Sequence, residues 1–345
     1  MLRVALVGAG GMAGMHASCY AEIANAELVG VMDIRPEAAT ALAEKYGAQA
    51  FTDFDAMLDQ THPDVVDVCC PTPWHVDYVA RAADRAGELG LRGISTEKPM
   101  ARTLADCQKM IAACELAAIP LFVAHVVRFF PEFALLKHGV AAGYAGNPAA
   151  IRTRRGGAMP RAWNDWYGDF ALSGGCILDL LIHDFDWLRW TFGEVERVYA
   201  KGACASKLPG FDYALITLRF RSGAIGHVEG TWNDPKGFKV AVEIAGDGGL
   251  ADYNFNQPLG TPFTMALNPA SNATELAGAK PRGGVAVPES PTNNTPYQME
   301  LQHFLDCLEA GTPPSISPQD GMEAVRIALA ALESIDTGLP VTLHK

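Results

Sequence analysis

The stretch Met1-Leu-Arg-Val4-Ala-Leu-Val7-Gly8-Ala-Gly10-Gly11-Met12-Ala13-Gly14-Met-His16 decides the fold. Val4 to Val7 is an apolar run, as in a strand buried on both faces. It breaks into Gly8-x-Gly10-x-x-Ala13, which reads as a tight turn and then a helix N-terminus. Gly8 supplies the turn. Gly10 lets the backbone approach a pyrophosphate, and Ala13 or Gly14 lets the helix lie close to the strand. The free amides of the first helical turn, at Gly11 and Met12, then face an anion. A glycine motif alone is weak, so its context decides. A second apolar run, Leu28 to Met32, ends at Asp33, nineteen residues beyond Gly14. A carboxylate there accepts hydrogen bonds from an adenosine ribose and repels a 2′-phosphate, which favours NAD. Arg35, just past Ile34, keeps NADP open.

The chain has 345 residues, enough for two domains with substantial cores. Apolar residues make up 49% and charged residues 19%, ordinary for a soluble globular protein. A net charge of −12 argues against nucleic acid or an anionic membrane as partner. The eight cysteines contain no CxxC pair, so neither a zinc site nor a disulfide framework is suggested. Thiols in a reducing cytoplasm are the simpler account. The sequence enters a strand by residue 3, without a signal peptide, and no apolar stretch is long enough to cross a bilayer.

Residues 1–124 alternate strand and helix. A helix from Pro36 to Tyr46 is stopped by Gly47, and strands are expected at 50–51, 65–70, 94–96 and 121–124. Pro71-Thr-Pro-Trp-His75 leads into a helix reaching about Ala86. A looser loop covers 87–93, and a helix covers 103–118. This alternation predicts a doubly wound parallel sheet of the Rossmann type. Ligands bind such sheets beyond the carboxyl ends of the strands. The glycine loop, Asp33, Cys70, Pro71, His75, Glu97, Lys98 and His125 all fall there. Residues 125–345 change character. Strand-like segments at 149–155, 195–204, 214–220, 223–230, 239–245 and 249–254 are joined by turns, which predicts an open, mostly antiparallel sheet. One strong helix, 174–192, lies between the first two. Residues 256–296 read as a long loop, and two amphipathic helices close the chain at 296–310 and 318–336. The expected architecture is an α/β dinucleotide domain, 1–124, and an α+β domain, 125–345. One face of the second sheet covers helices; the other is solvated or buried in an oligomer.

Lys98 follows a buried strand, between Glu97 and Pro99. An ammonium there can bind a substrate hydroxyl and stabilise alkoxide charge; a surface Lys–Glu pair is the plainer account. In Ser173-Gly-Gly-Cys-Ile-Leu-Asp179-Leu-Leu-Ile-His183-Asp184, Asp179 and His183 lie four apart on one helical face among apolar neighbours. His183 suits proton exchange near neutral pH, and Asp179 can orient it. A core histidine with a capping aspartate is the alternative. No third ligand at useful spacing supports a metal site. His125, Arg128, Trp163 and Trp166 are candidates to line a substrate pocket. Trp163, Trp166 and Tyr167 could equally pack between domains, and Arg128, with Phe129 and Phe130, could equally anchor the junction.

Together these motifs resemble the glucose–fructose oxidoreductase / inositol dehydrogenase / MocA family over nearly the whole chain. The marks are Gly8-x-Gly10-x-x-Ala13-x-x-His16, Cys70-Pro71-x-x-x-His75, Glu97-Lys98-Pro99, Ser173-Gly174-Gly175 and Asp179-x-x-x-His183. Gln298-x-Glu300-x-x-x-Phe304 and Ser334-x-x-x-Gly338 add to them. The resemblance implies an NAD(P)-dependent dehydrogenase of a sugar, inositol or related polyol, with Lys98, Asp179 and His183 as catalytic trio. It implies cofactor contacts from Gly8, Gly10, Gly11, Met12, Ala13, Asp33, Ile34, Arg35, Cys70, Pro71, His75, Glu97 and Lys98. A homodimer or homotetramer is also implied. Ala13 replaces the usual third glycine, Cys70 stands where threonine is common, and the loop 87–93 is longer than usual. Two rivals remain: a redox-neutral glycosidase that retains NAD, and a regulator that binds the dinucleotide without turnover.

Overall fold

Val4 to Val7 are fully buried and form the middle of a six-stranded sheet. The computed structural model describes residues 1–204, 212–234, 238–254 and 295–344. The first sheet contains β1 (Leu2–Val7), β2 (Ala26–Met32), β3 (Gln49–Phe51), β4 (Val65–Val68), β5 (Gly93–Glu97) and β6 (Leu121–Ala124), in the order β3-β2-β1-β4-β5-β6. Every pairing is parallel. The order reverses between β1 and β4, so the crevice of this sheet opens where the glycine loop leaves β1. The helix Pro36–Tyr46 starts on proline and ends at left-handed Gly47, as expected.

A second sheet has seven strands: β7 (Pro148–Gly156), β8 (Val195–Ala203), β9 (Tyr213–Phe220), β10 (Ile225–Thr231), β11 (Lys239–Gly246), β12 (Gly249–Asn254) and β13 (Val341–Thr342). Their order is β12-β11-β7-β10-β9-β8-β13. All pairs are antiparallel except β7 with β10. Alternation is clean. In β9, Ala214, Ile216, Leu218 and Phe220 are buried, while Leu215 and Arg219 are exposed. The inner face packs with helices Ile182–Phe192 and Pro318–Thr337 in one core. The latter starts with a capping box between Ser317 and Asp320.

Four features differ from the sequence reading. Residues 87–93 are not a simple loop: a helical turn, Ala86–Leu89, closes at left-handed Gly90. The helix Pro131–Ala141 was not anticipated. The expected helix 174–192 is two pieces, Gly175–Asp179 and Ile182–Phe192, preceded by a separate helical turn, Phe170–Ser173. Gly174 and Gly175 both have positive φ, 76° and 66°, and separate that turn from Gly175–Asp179. A Cβ on Gly174 would sit 2.7 Å from Leu178 Cβ. Finally, helix Pro296–Ala310, expected with the second domain, returns to the first. Its Leu301 and Phe304 share a core with Leu2, Val4 and Leu6, and Phe304 stacks on Phe122 at 5.0 Å. The expected loop 256–296 falls almost wholly outside the described residues. No helix among the described residues is long and apolar enough to cross a membrane.

Candidate active site

A cavity of about 630 Å³ lies where the carboxyl ends of the first sheet face the second domain. The glycine loop forms one wall. Gly8 has φ +101°, and an added Cβ would press within 3.0 Å of the Cys69 and Cys70 backbone. The strand-to-helix turn therefore packs tightly on the end of β4. Gly10 and Gly11 differ, because a Cβ on either would meet nothing within 4 Å. They face open space, as a dinucleotide cradle requires. Met12 also lines the cavity. No side chain caps the helix Gly11–Tyr20, so its first amides are unclaimed by a cap. Ala13 does not reach the cavity. It is fully buried in the core behind the loop, so its part is close packing of helix on strand.

Asp33 sits at the end of β2 and lines the same cavity. Its Oδ2 accepts the Ala9 amide at 2.8 Å, and its Oδ1 accepts the Arg35 amide at 2.9 Å. The Arg35 guanidinium adds two bonds at 3.0 Å, from Nε to Oδ1 and from Nη2 to Oδ2. Burial disfavours the carboxylate, but the bonds from Arg35 and Ala9 outweigh it and lower the Asp33 pKa. Arg35 also lies 5.3 Å from the centre of the Trp163 ring, which joins the two domains across the cavity rim. Ile34 projects there too, 62% exposed.

Cys70 and Pro71 line the cavity, but His75 stands behind them. Its ring is 1% exposed, with Nε2 2.8 Å from the Cys70 carbonyl and Nδ1 3.1 Å from the Pro99 carbonyl. His75 thus braces two turns and is corrected from a cofactor contact to a support. Burial lowers its pKa.

Lys98, Asp179 and His183 converge on this cavity from three separate elements. Lys98 Nζ donates to the Asp179 carbonyl at 3.0 Å and to Asp179 Oδ1 at 3.2 Å. The break after Asp179 overturns the expected Asp179–His183 pairing on one helical face. Asp179 holds the lysine instead. Burial raises the Asp179 pKa, with Lys98 opposing. His183 Nδ1 is buried with no hydrogen-bond partner among the described residues. Burial drives the His183 pKa well below its ordinary value, and the Lys98 and Arg155 cations act in the same direction. The imidazole is therefore neutral, which is the form a base needs.

Two candidate substrate residues lie elsewhere. His125 is 1% exposed, outside the cavity wall, with Nδ1 3.9 Å from Asp186. Arg128 is buried at the domain junction. It donates from Nη2 and Nε to Asp186 at 2.6 and 2.8 Å, and from Nη1 to Asp320 at 3.4 Å. His125 is corrected from a substrate residue to a junction residue, and Arg128 follows the junction alternative and not the substrate one. Replacing Arg128 with methionine strands buried Asp186, and a loss of about 3–5 kcal/mol is expected. A thermal melt will show a clear fall in Tm, while the KM for substrate stays unchanged.

Trp163 and Trp166 do line the cavity. Trp163 is half exposed at the rim, and Trp166 stacks on Tyr167 at 4.0 Å. Trp232, Phe238 and Tyr253 extend this aromatic wall from the second sheet. Such faces suit the ring of a cyclic polyol or sugar. Sequence reasoning missed Arg155, which lines the cavity 3% exposed and is bonded to Asp184. The signal was available. In β7, Ile151, Thr153 and Arg155 share the buried parity while Arg152 and Arg154 are exposed. A charge on the inward face of a strand needs a reason.

Comparison with known proteins places both halves of the chain in one family. Residues 2–125 match the model of the oxidoreductase family with an NAD-binding Rossmann fold. Residues 133–252 match the GFO/IDH/MocA C-terminal domain. The chain belongs to the GFO/IDH/MocA family. It is an NAD-binding oxidoreductase with a Rossmann domain and an α+β domain. It is 29% identical to a myo-inositol 2-dehydrogenase of Thermotoga maritima, covering 100% of this chain and 99% of that one. It is 27% identical to the NAD(+)-dependent scyllo-inositol 2-dehydrogenase of Bacillus subtilis, covering 99% and 96%. The crystal structure of GenD2 from gentamicin A biosynthesis, in complex with NAD, superposes with a TM-score of 0.85 at 26% identity. That match covers 100% of this chain and 97% of the other.

Proposed function

We propose that this oxidoreductase interconverts a secondary alcohol and a ketone carbon of a sugar, inositol or related polyol. The observation that carries the reading is the convergence of Lys98, Asp179 and a neutral His183 on the cavity that also holds the glycine loop and Asp33. Open space over Gly10 and Gly11 and the Asp33 carboxylate fit the pyrophosphate and ribose of NAD. Bound NAD supplies the hydride acceptor or donor. The chain supplies the proton chemistry. His183 takes the hydroxyl proton during oxidation and returns it during reduction. Lys98 spends two N–H bonds on Asp179 and keeps a third for the substrate oxygen, where alkoxide charge develops. Asp179 aims the ammonium.

The assigned division of labour is dinucleotide binding by residues 1–124 and substrate binding by residues 125–345. Substrate contacts come from Trp163 and Trp166. The outer face of the second sheet, with Tyr199, Leu215 and Ile225 exposed, is the proposed surface of a homodimer or homotetramer. We place the protein in the cytoplasm, where Cys19, Cys69, Cys107 and Cys114 stay reduced. The test is reduction of NAD by a panel of inositols and sugars, followed at the reduced-nicotinamide band. Reduction by a polyol supports the reading. Release of a free sugar without net reduction would replace it with a redox-neutral glycosidase.

The pH profile follows from His183. Its pKa in the folded enzyme is depressed, so it stays neutral as pH falls through the ordinary histidine range near 6.5. The oxidation kcat/KM is expected to hold level across that range and to fall only in more acid solution. A half-maximal point at the ordinary histidine value would contradict a desolvated His183 base.

A further inference from the structure

We infer that His16 is a positioning residue, a buried imidazolium that locks the glycine-loop helix to the turn carrying Lys98. The inference rests on the assignment of Lys98 to catalysis. His16 belongs to helix Gly11–Tyr20, whose first turn borders the cavity, yet its own ring is 0% exposed. Nδ1 lies 2.8 Å from Asp67 Oδ2 in β4, and Nε2 lies 3.1 Å from Glu97 Oε1 in β5. Tyr20 donates to the same Asp67 oxygen at 2.9 Å. The other oxygen of Glu97, Oε2, accepts the Lys98 amide at 2.9 Å. One ring thus connects the cofactor helix, two strands and the first peptide of the catalytic turn.

The protonation state follows from the partners. A carboxylate only accepts, so each ring nitrogen completes its bond by donating. A neutral imidazole has one N–H; the doubly bonded ring needs two. The neighbouring groups leave the charge to these three residues. Burial raises the pKa values of Glu300, Tyr20, Tyr297, Cys19 and Cys69, which keeps them neutral. Burial also opposes charge on His16, but the Asp67 carboxylate, by its charge and its hydrogen bond, holds the His16 pKa above the ordinary value. His16, Asp67 and Cys69 lie close enough together to suggest a metal site. Both ring nitrogens are already engaged with carboxylates, however, and all three residues are buried. A hydrogen-bonded lock accounts for them.

The consequence is geometric. His16 fixes Glu97, and Glu97 fixes the amide of Lys98. The distance between the dinucleotide cradle and the ammonium is set through this ring.

Three readouts test the lock. The first is the ring nitrogen NMR spectrum of His16 from neutral to mildly alkaline pH. Two protonated nitrogens are expected throughout; a single N–H at neutral pH would overturn the imidazolium. The second is amide hydrogen exchange in His16→Asn. The Lys98 amide should exchange at least about tenfold faster, with β9 amides unchanged. Equal change in both would reduce His16 to general stability. The third is kinetic. The kcat should fall about 10- to 100-fold while the Kd for NAD stays within about threefold, as misalignment predicts. A loss confined to NAD affinity would refute the positioning role. If His16→Asn does not fold, Glu97→Gln keeps the acceptor oxygen and removes the charge. It should cost the ring its second proton at neutral pH and speed Lys98 exchange. If the wild type reduces NAD with no polyol, the proposed function falls. The spectrum and the exchange rates still decide the lock.

Discussion

Replacing Lys98 with alanine is expected to lower kcat by about 10³-fold, with little change in Tm or in the Kd for NAD. Lys98 alone among the trio combines a free N–H with a fixed positive charge beside the reacting oxygen. Removing it leaves that oxygen without electrostatic support as its proton departs. The fold is expected to survive for a specific reason. Lys98 is the cation bonded to Asp179, and burial already raises the Asp179 pKa. Without the lysine the carboxyl can take up a proton instead of remaining a buried charge. Steady-state kinetics and a thermal melt check both halves. Lys98→Arg separates charge from geometry. A planar guanidinium keeps the charge but cannot reproduce the two ammonium bonds to Asp179, so recovery should be partial. Turnover within threefold of wild type in Lys98→Ala would remove the lysine from the mechanism.

The elements that speak in the sequence are those governed by local periodicity. Val4–Val7 and Val65–Val68 read as buried strands because both faces are covered, and the structure buries them completely. Pro36 and Gly47 mark their helix because proline fits its first turn and glycine its left-handed end. The second sheet was legible from two-residue alternation, but the parallel pairing of β7 with β10 was not. Alternation states which face a residue joins and says nothing of neighbour direction. The helix 174–192 misled for a similar reason. Its apolar content fits a single helix, while the positive φ of Gly174 and Gly175 is set by tertiary packing. A second break, after Asp179, matters for the site, because it parts Asp179 from His183, and Asp179 holds Lys98 instead. Asp179 and His183 stand out as polar groups in an apolar segment, and Lys98 by its place just past a buried strand. His75 and His125 share the strand-end position of Lys98 and are supports. Strand-end position alone does not tell a cavity wall from the layer behind it. The return of helix Pro296–Ala310 to the first sheet was likewise hidden. Its amphipathic pattern requires an apolar neighbour without naming one.

Cofactor selection yields the second large effect. Asp33→Ala is expected to weaken NAD binding about 10- to 100-fold and to tighten NADP, so that the preference inverts. Four donors converge on the Asp33 carboxylate: the Ala9 amide, and the amide, Nε and Nη2 of Arg35. A carboxylate offers about four lone-pair sites, so these bonds fill it. Ribose hydroxyls must therefore displace bonds already made. The two amide bonds belong to the turn itself, which leaves the Arg35 side chain as the group that moves. Two consequences separate this account from simple charge repulsion. Arg35→Ala should tighten NAD by a few-fold, since two acceptor sites open without loss of the carboxylate, although the Trp163 contact is lost as well. In Asp33→Ala the guanidinium is released and available to a 2′-phosphate, so the double variant Asp33→Ala/Arg35→Ala should lose the gain in NADP affinity. Equilibrium titration of both dinucleotides into the four proteins decides the matter. Weaker NAD binding in Arg35→Ala would mean that the guanidinium holds the cofactor directly instead of competing with it. Retention of wild-type NAD affinity in Asp33→Ala would dissolve the ribose assignment altogether.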